Sequence, residues 1–197
     1  MRARLENPPW DYVRHWRDHR WDQNWIERPR LWASGVALAL GEPKTVADLA
    51  CGDAAVVLTA HAIRPLEKVY LGDLSPDTMR KLVPDDLPFN AARMVGDIHD
   101  TITGVPEVDA FVMTEILEHL EDPDAILREA RTRARWLVAS SPIVPDGRDH
   151  TAQHTWAFDM EGYREMLEDA GWRPMVWQSV NCRDHPYASG FQVWGCE

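Results

Sequence analysis

The sequence has few cysteines, few lysines and no long apolar run. Its three cysteines, Cys51, Cys182 and Cys196, are too few and too scattered to build a disulfide framework or a zinc knuckle. No apolar stretch approaches the roughly 20 residues that a membrane-spanning helix needs. Residues 1–9 lack the apolar centre of a secretory signal. A cytoplasmic protein with no membrane partner is expected. Positive charge is scarce as well: the 197-residue chain carries a formal net charge of −11. A field of that sign does not draw in a phosphate backbone, which disfavours RNA as a partner. The exception is local. Residues 1–32 hold seven Arg against five acids, leaving −13 for the remainder, and they contain five of the ten tryptophans.

A hydrophobic share of 45% and a charged share of 27% describe an ordinary globular protein, and the length fits one domain. Residues 10–40 read as helical, with Trp21 and Trp25 on one face. Pro29 is expected to split the segment into two helices, the second running from about Arg30 to Leu40. Strands at 45–50, 68–73, 93–97, 108–114 and 136–140 then alternate with helices at 54–61, from Pro76 behind a Ser75 cap, and at 123–133. Residues 141–158 read as a long polar loop carrying His150 and His154. A helix at 160–169, capped by Gly171, precedes two late strands near 175–180 and 190–196. This alternation predicts an α/β fold over residues 41–197: a doubly wound, mostly parallel seven-stranded sheet with helices on both faces. Residues 1–40 would form an N-terminal helical extension or lid.

Ligands of such sheets bind outside the carboxyl ends of the strands, and these ends are acidic. The first strand brings Asp48, with Asp53 in the turn after it. The second brings Asp73, the third Asp97 and the fourth Glu115 and Glu118. Single acids at these places serve as helix caps, but capping does not require an acid at every strand. The turn Ala50-Cys51-Gly52-Asp53-Ala54-Ala55 is built of small residues that let backbone approach a ligand. Asp73 follows at a distance that suits an acid on two ribose hydroxyls. A dinucleotide would bring its pyrophosphate against Asp53, with no cation nearby to compensate. A ligand that is positive at its reactive end has the opposite preference.

On these residues the chain resembles the class I S-adenosylmethionine-dependent methyltransferases, over roughly residues 45–175. Val46 to Ala54 resembles the family's first motif, an acid followed by a G-x-G-x-G turn, with Ala50 and Ala54 in place of two glycines. Alanine serves there if its φ is negative. Gly72-Asp73-Leu74-Ser75 with Met79 resembles the second motif, Gly96-Asp97-Ile98 the third, and Val108-Asp109 through Glu118-His119-Leu120-Glu121-Asp122-Pro123 the fourth. The resemblance implies a Rossmann-like fold and S-adenosylmethionine as cofactor. It implies that Asp48, Ala50, Gly52, Asp53, Asp73, Leu74, Met79, Asp97, Ile98 and Thr114 bind that cofactor. The segment Glu115-Ile116-Leu117-Glu118-His119, with the distal His154, is similar to the E-x-x-E-H arrangement of magnesium-assisted O-methyltransferases. On that likeness Glu115, Glu118, His119 and His154 would hold Mg2+ or another divalent cation. In the simpler version Glu118, His119 or His154 handles the proton of the acceptor.

A small-molecule acceptor methylated at oxygen is the leading expectation, from a monomer or homodimer. An RNA or glycan hydroxyl, an NAD-dependent oxidoreductase and a non-catalytic cofactor-binding module are the alternatives. The N-terminal tryptophans are expected to cover the site or to glue helices to the sheet, with Trp16, Trp21 and Trp25 as the pocket-facing candidates. Asn7-Pro8-Pro9-Trp10 is similar to the N-P-P-aromatic motif of amino-methyltransferases acting on DNA bases. That motif must follow a strand, and only six residues precede it here, so it is read as a coincidence.

Overall fold

In the computed structural model, residues 1–7, 24–145, 153–181 and 190–197 are described, with the side chains of residues 24–27 excepted. The chain opens with a short strand, β1 (Arg2–Arg4), and a helix, α1 (Asn24–Leu40). Then follow β2 (Thr45–Asp48), α2 (Ala55–Ile63), β3 (Lys68–Asp73), α3 (Pro76–Lys81) and β4 (Asn90–Val95). A single helical turn, α4 (Ile98–Thr101), leads to β5 (Val108–Thr114), a 3-10 turn (Leu117–His119) and α5 (Pro123–Arg131). The chain ends through β6 (Ala134–Pro142), β7 (Trp156–Phe158), α6 (Met160–Asp169), β8 (Pro174–Asn181) and β9 (Gly190–Cys196).

Seven strands form one sheet in the order β4-β3-β2-β5-β6-β9-β8. All pairings are parallel except those of β9, which runs antiparallel to both β6 and β8. The order reverses between β2 and β5, which opens a crevice at their carboxyl ends. Side-chain alternation divides the core in two. Val46, Ala110 and Val112 face one layer, with Ala33, Ala37 and Leu38 of α1, Val56, Val57 and Ala60 of α2, and Met79 of α3. Ala47, Phe111 and Met113 face the other, with Ile98 of α4, Leu127 of α5, and Tyr163 and Leu167 of α6.

Local chemistry sets several boundaries. Ser75 Oγ accepts from the Thr78 amide at 3.2 Å, with Pro76 at the first helical position. Asp122 and Asp159 cap α5 and α6 in the same way, accepting from Ala125 and Gly162. Gly171 takes φ 87° immediately after α6.

Two expectations are corrected. Pro29 does not split the first helical segment; α1 runs through it. Proline forfeits one hydrogen bond to the preceding turn, and the burial of Ala33, Ala37, Leu38 and Ala39 downstream holds the helix in line. The segment 141–158 is not all loop. β6 extends to Pro142, and β7 pairs antiparallel with β1, Arg4 opposite Trp156 and Arg2 opposite Phe158. His150, Trp10, Trp16 and Trp21 lie outside the described residues, as does the side chain of Trp25.

Candidate active site

Beyond the carboxyl ends of the parallel strands lies a cavity of about 360 Å³. One end of its wall carries Ala50, Asp73, Leu74, Asp97 and Ile98, all expected from the sequence. His119 and His154 line it too. The wall further includes Arg4, Leu5, Asn7, Gln153 and Thr155, which sequence reasoning did not assign to a site. Asp48, Gly52, Asp53, Met79, Thr114, Glu115 and Glu118 are not on the wall.

The first turn is held by backbone. The Cys51 amide donates to Gly72 O at 2.9 Å and the Ala54 amide to Cys51 O at 2.7 Å. Gly52 takes φ 54° and Ala54 takes φ 62°. The condition of a negative φ is therefore not met at Ala54: it keeps the left-handed geometry for which the family pattern uses glycine. Such geometry costs an alanine about 1–2 kcal/mol. Asp53 Oδ1 accepts from the Ala55 amide at 3.1 Å, closing the turn just before α2.

Asp73 is 1% exposed. Its Oδ1 accepts from the Ser75 amide at 2.8 Å, and its Oδ2 lies 3.4 Å from the Gly52 amide. These bonds aim the carboxylate at the cavity. Asp48 is buried at the end of β2. Burial pushes its carboxyl up to about 8; a backbone hydrogen bond from Ala50 opposes this, and the charges of Asp73 and Asp53 add to it. At Asp97, burial works to raise the carboxyl, but the bonds from the His99 amide and ring, both at 2.8 Å, outweigh it and hold the group below the usual range. Cys51 and Met79 fill the space behind the turn, sulfur to sulfur at 3.7 Å.

At the other end, one potential ligand atom each from Glu118, His119 and His154 lies within 4.8 Å of the other two. Glu118 is 1% exposed and His154 8%. The two imidazoles meet edge to face, with centroids 4.8 Å apart. The 3-10 turn and the segment before β7 are sewn together. The Thr155 amide donates to Glu118 O at 2.7 Å, Thr155 Oγ1 to His119 O at 3.2 Å, and Trp156 Nε1 to Leu120 O at 2.9 Å. Glu115 takes another course. At φ 56° its carboxylate accepts from Ser140 Oγ at 2.8 Å and lies 3.8 Å from Nε of the buried Arg30. The trio does not include it.

Acids at the carboxyl ends of β3 and β4, a small-residue turn and a histidine–carboxylate group share one crevice. Residues 47–135 match a protein family described as a methyltransferase domain. The match spans less than half of the chain; together with the fold it supports an S-adenosylmethionine-dependent methyltransferase. No curated protein matches the chain by sequence. Among solved structures, the chain is similar to the Burkholderia thailandensis 1,6-didemethyltoxoflavin-N1-methyltransferase, bound to 1,6-didemethyltoxoflavin and S-adenosylhomocysteine (17% identity, 99% of this chain and 93% of that one, TM-score 0.68). It is similar to the magnesium protoporphyrin IX methyltransferase of Synechocystis PCC 6803 with bound S-adenosylhomocysteine (14% identity, 93% and 92%, TM-score 0.65). A third likeness is the methyltransferase domain of bacterial CtHen1 (16% identity, 87% and 98%, TM-score 0.63). At these identities the likeness is one of fold. No helix among the described residues is long and apolar enough to cross a membrane.

Proposed function

We propose that this protein transfers the methyl group of S-adenosylmethionine to a hydroxyl oxygen of a small-molecule acceptor, and that Glu118, His119 and His154 form the reacting end of the site. The observation that carries this reading is the cluster of three ligand atoms within 4.8 Å at a cavity whose other wall carries Asp73 and Asp97. Asp73 would hold the ribose and Asp97 the adenine amine, with Leu74 and Ile98 against the ring. The remaining cofactor-binding assignments, Asp48, Ala50, Gly52, Asp53, Met79 and Thr114, rest on the motif resemblance.

Methyl transfer is an in-line displacement: the acceptor oxygen forms a bond to the methyl carbon as the carbon–sulfur bond breaks. A hydroxyl must also lose its proton, which an imidazole of the trio takes up. The walls align the two reactants and exclude water. One carboxylate with two imidazoles is a donor set for a divalent cation, and the imidazoles suit a transition metal such as Mn2+ better than Mg2+, which prefers oxygen ligands. Glu118, His119 and His154 would hold it, and when bound it would make a nearby hydroxyl more acidic. Glu115, assigned to that set on the sequence motif, would join it only by leaving Ser140.

Labelled methyl transfer from S-adenosylmethionine into cell extracts, followed by mass identification of the product, tests the reading. An O-methylated small molecule is expected, with turnover lost in Glu118→Gln and in the presence of a chelator. A product methylated at nitrogen or carbon overturns the oxygen assignment. Full turnover under chelation removes the cation.

A further inference from the structure

We propose that residues 2–7 form a strap that sets His154 against Glu118 and His119, with Asn7 as its positioning residue; this rests on the reading of the trio as the reacting end of the site. The segment 153–158 is a turn that runs into β7 (Trp156–Phe158), and it is tied down on two sides. Its inner side is tied to the 3-10 turn by the Thr155 amide on Glu118 O and by His119 Nδ1, 2.9 Å from Gln153 O. Its outer side is tied to the strap. The Leu5 amide donates to Thr155 O at 2.8 Å, and Asn7 Nδ2 donates to His154 O at 2.7 Å. The carbonyl of His154 itself is thus gripped by a side chain from 147 residues earlier. A one-residue slip of β7 against β1 turns every side chain of β7 to its opposite face and displaces His154, which leads into it.

Two further features show the strap is built in. The Arg2 guanidinium lies 4.1 Å over the Trp156 ring while hydrogen-bonding Asp124 at 2.8 Å. In α6, a Cβ added at Gly162 would lie 2.2 Å from the backbone C and O of Met1 and 2.5 Å from the Arg2 nitrogen. Alanine would favour the helix there by about 1 kcal/mol; glycine leaves room for the strap to lie on it.

The test compares Asn7→Asp, which loses the amide donor, Asn7→Gln, which keeps it, and the remote Gly162→Ala, which pushes the strap outward. Mn2+ affinity is read by electron paramagnetic resonance, and the His154 ring-nitrogen shifts by NMR at one fixed pH. Asn7→Asp and Gly162→Ala should each weaken Mn2+ binding about tenfold or more and move the His154 resonances. Asn7→Gln should restore most of both. S-adenosylhomocysteine affinity should stay within twofold throughout, which separates loss of position from loss of fold. Wild-type Mn2+ affinity and unmoved His154 resonances in both disruptive variants overturn the proposal. If the wild-type chain takes up no Mn2+, the cation reading fails and the His154 resonances alone decide the strap: unmoved, they overturn it.

Discussion

His119 Nδ1 lies 2.9 Å from the backbone oxygen of Gln153. A carbonyl oxygen can only accept, so Nδ1 carries the proton and the neutral ring presents a lone pair at Nε2. That is the nitrogen needed to take up a proton or to hold a cation. Long-range nitrogen–proton spectra should show His119 as the Nδ1-protonated tautomer. The opposite tautomer would place this ring outside the chemistry assigned to it.

Asp73 should govern cofactor affinity. Asp73→Asn keeps an acceptor for the Ser75 amide but removes the charge and one acceptor oxygen. S-adenosylhomocysteine binding should weaken by about 1–3 kcal/mol, measured by titration calorimetry. Unchanged affinity would reduce this acid to a brace for the turn.

The Asp48 carboxyl stands at about 8 in the folded chain against 3.8 ordinarily. Its folded form therefore holds a proton that the unfolded chain gives up between these values. The contribution to stability is complete below about pH 4 and declines as pH rises toward 8. A cationic ligand favours the ionised form, so S-adenosylhomocysteine, with its ammonium group, should displace a proton on binding near pH 7. Calorimetry in two buffers of different ionisation enthalpy measures that release. Zero release would mean that the ligand's positive charge lies away from Asp48.

Tyr163 is fully buried, and its hydroxyl has no hydrogen-bond partner among the described residues. Removing an unsatisfied buried hydroxyl recovers its desolvation cost. Tyr163→Phe should therefore keep or raise Tm, by an amount on the order of 1 kcal/mol in stability, while keeping the ring edge-to-face on Phe158 at 5.2 Å. A clear fall in Tm would reveal a partner for that hydroxyl.

The parts of the fold legible in the sequence are those with local marks. The strands at 68–73 and 108–114 and the helix at 160–169 have the bounds expected of them, because an apolar run or a periodic face stops at a turn or glycine. The acids proposed to bind the cofactor were legible for the same reason: they sit at strand ends, and Asp73 and Asp97 line the cavity. The trio and its surroundings were only half legible. His119 and His154 stand out as residue types, but the strap does not. β1 and β7 have three residues each and pair across more than 150 positions, so no periodicity announces them. Asn7 lies in a segment similar to a different motif, and the hydrogen bond from its side-chain amide to His154 O is one that no local pattern encodes. Ala54 shows the reverse failure. Residue type argued for ordinary backbone there, and the geometry of the turn prevailed.

The thiol of Cys51 is walled in behind the first turn. Burial holds it well above its usual range, with Asp48 and Asp73 reinforcing this, and burial pushes Cys196 up to about 12. Neither sulfur offers a thiolate to an alkylating reagent at neutral pH. Iodoacetamide uptake at Cys51, followed peptide by peptide, thereby becomes a clock for how often the first turn breathes open.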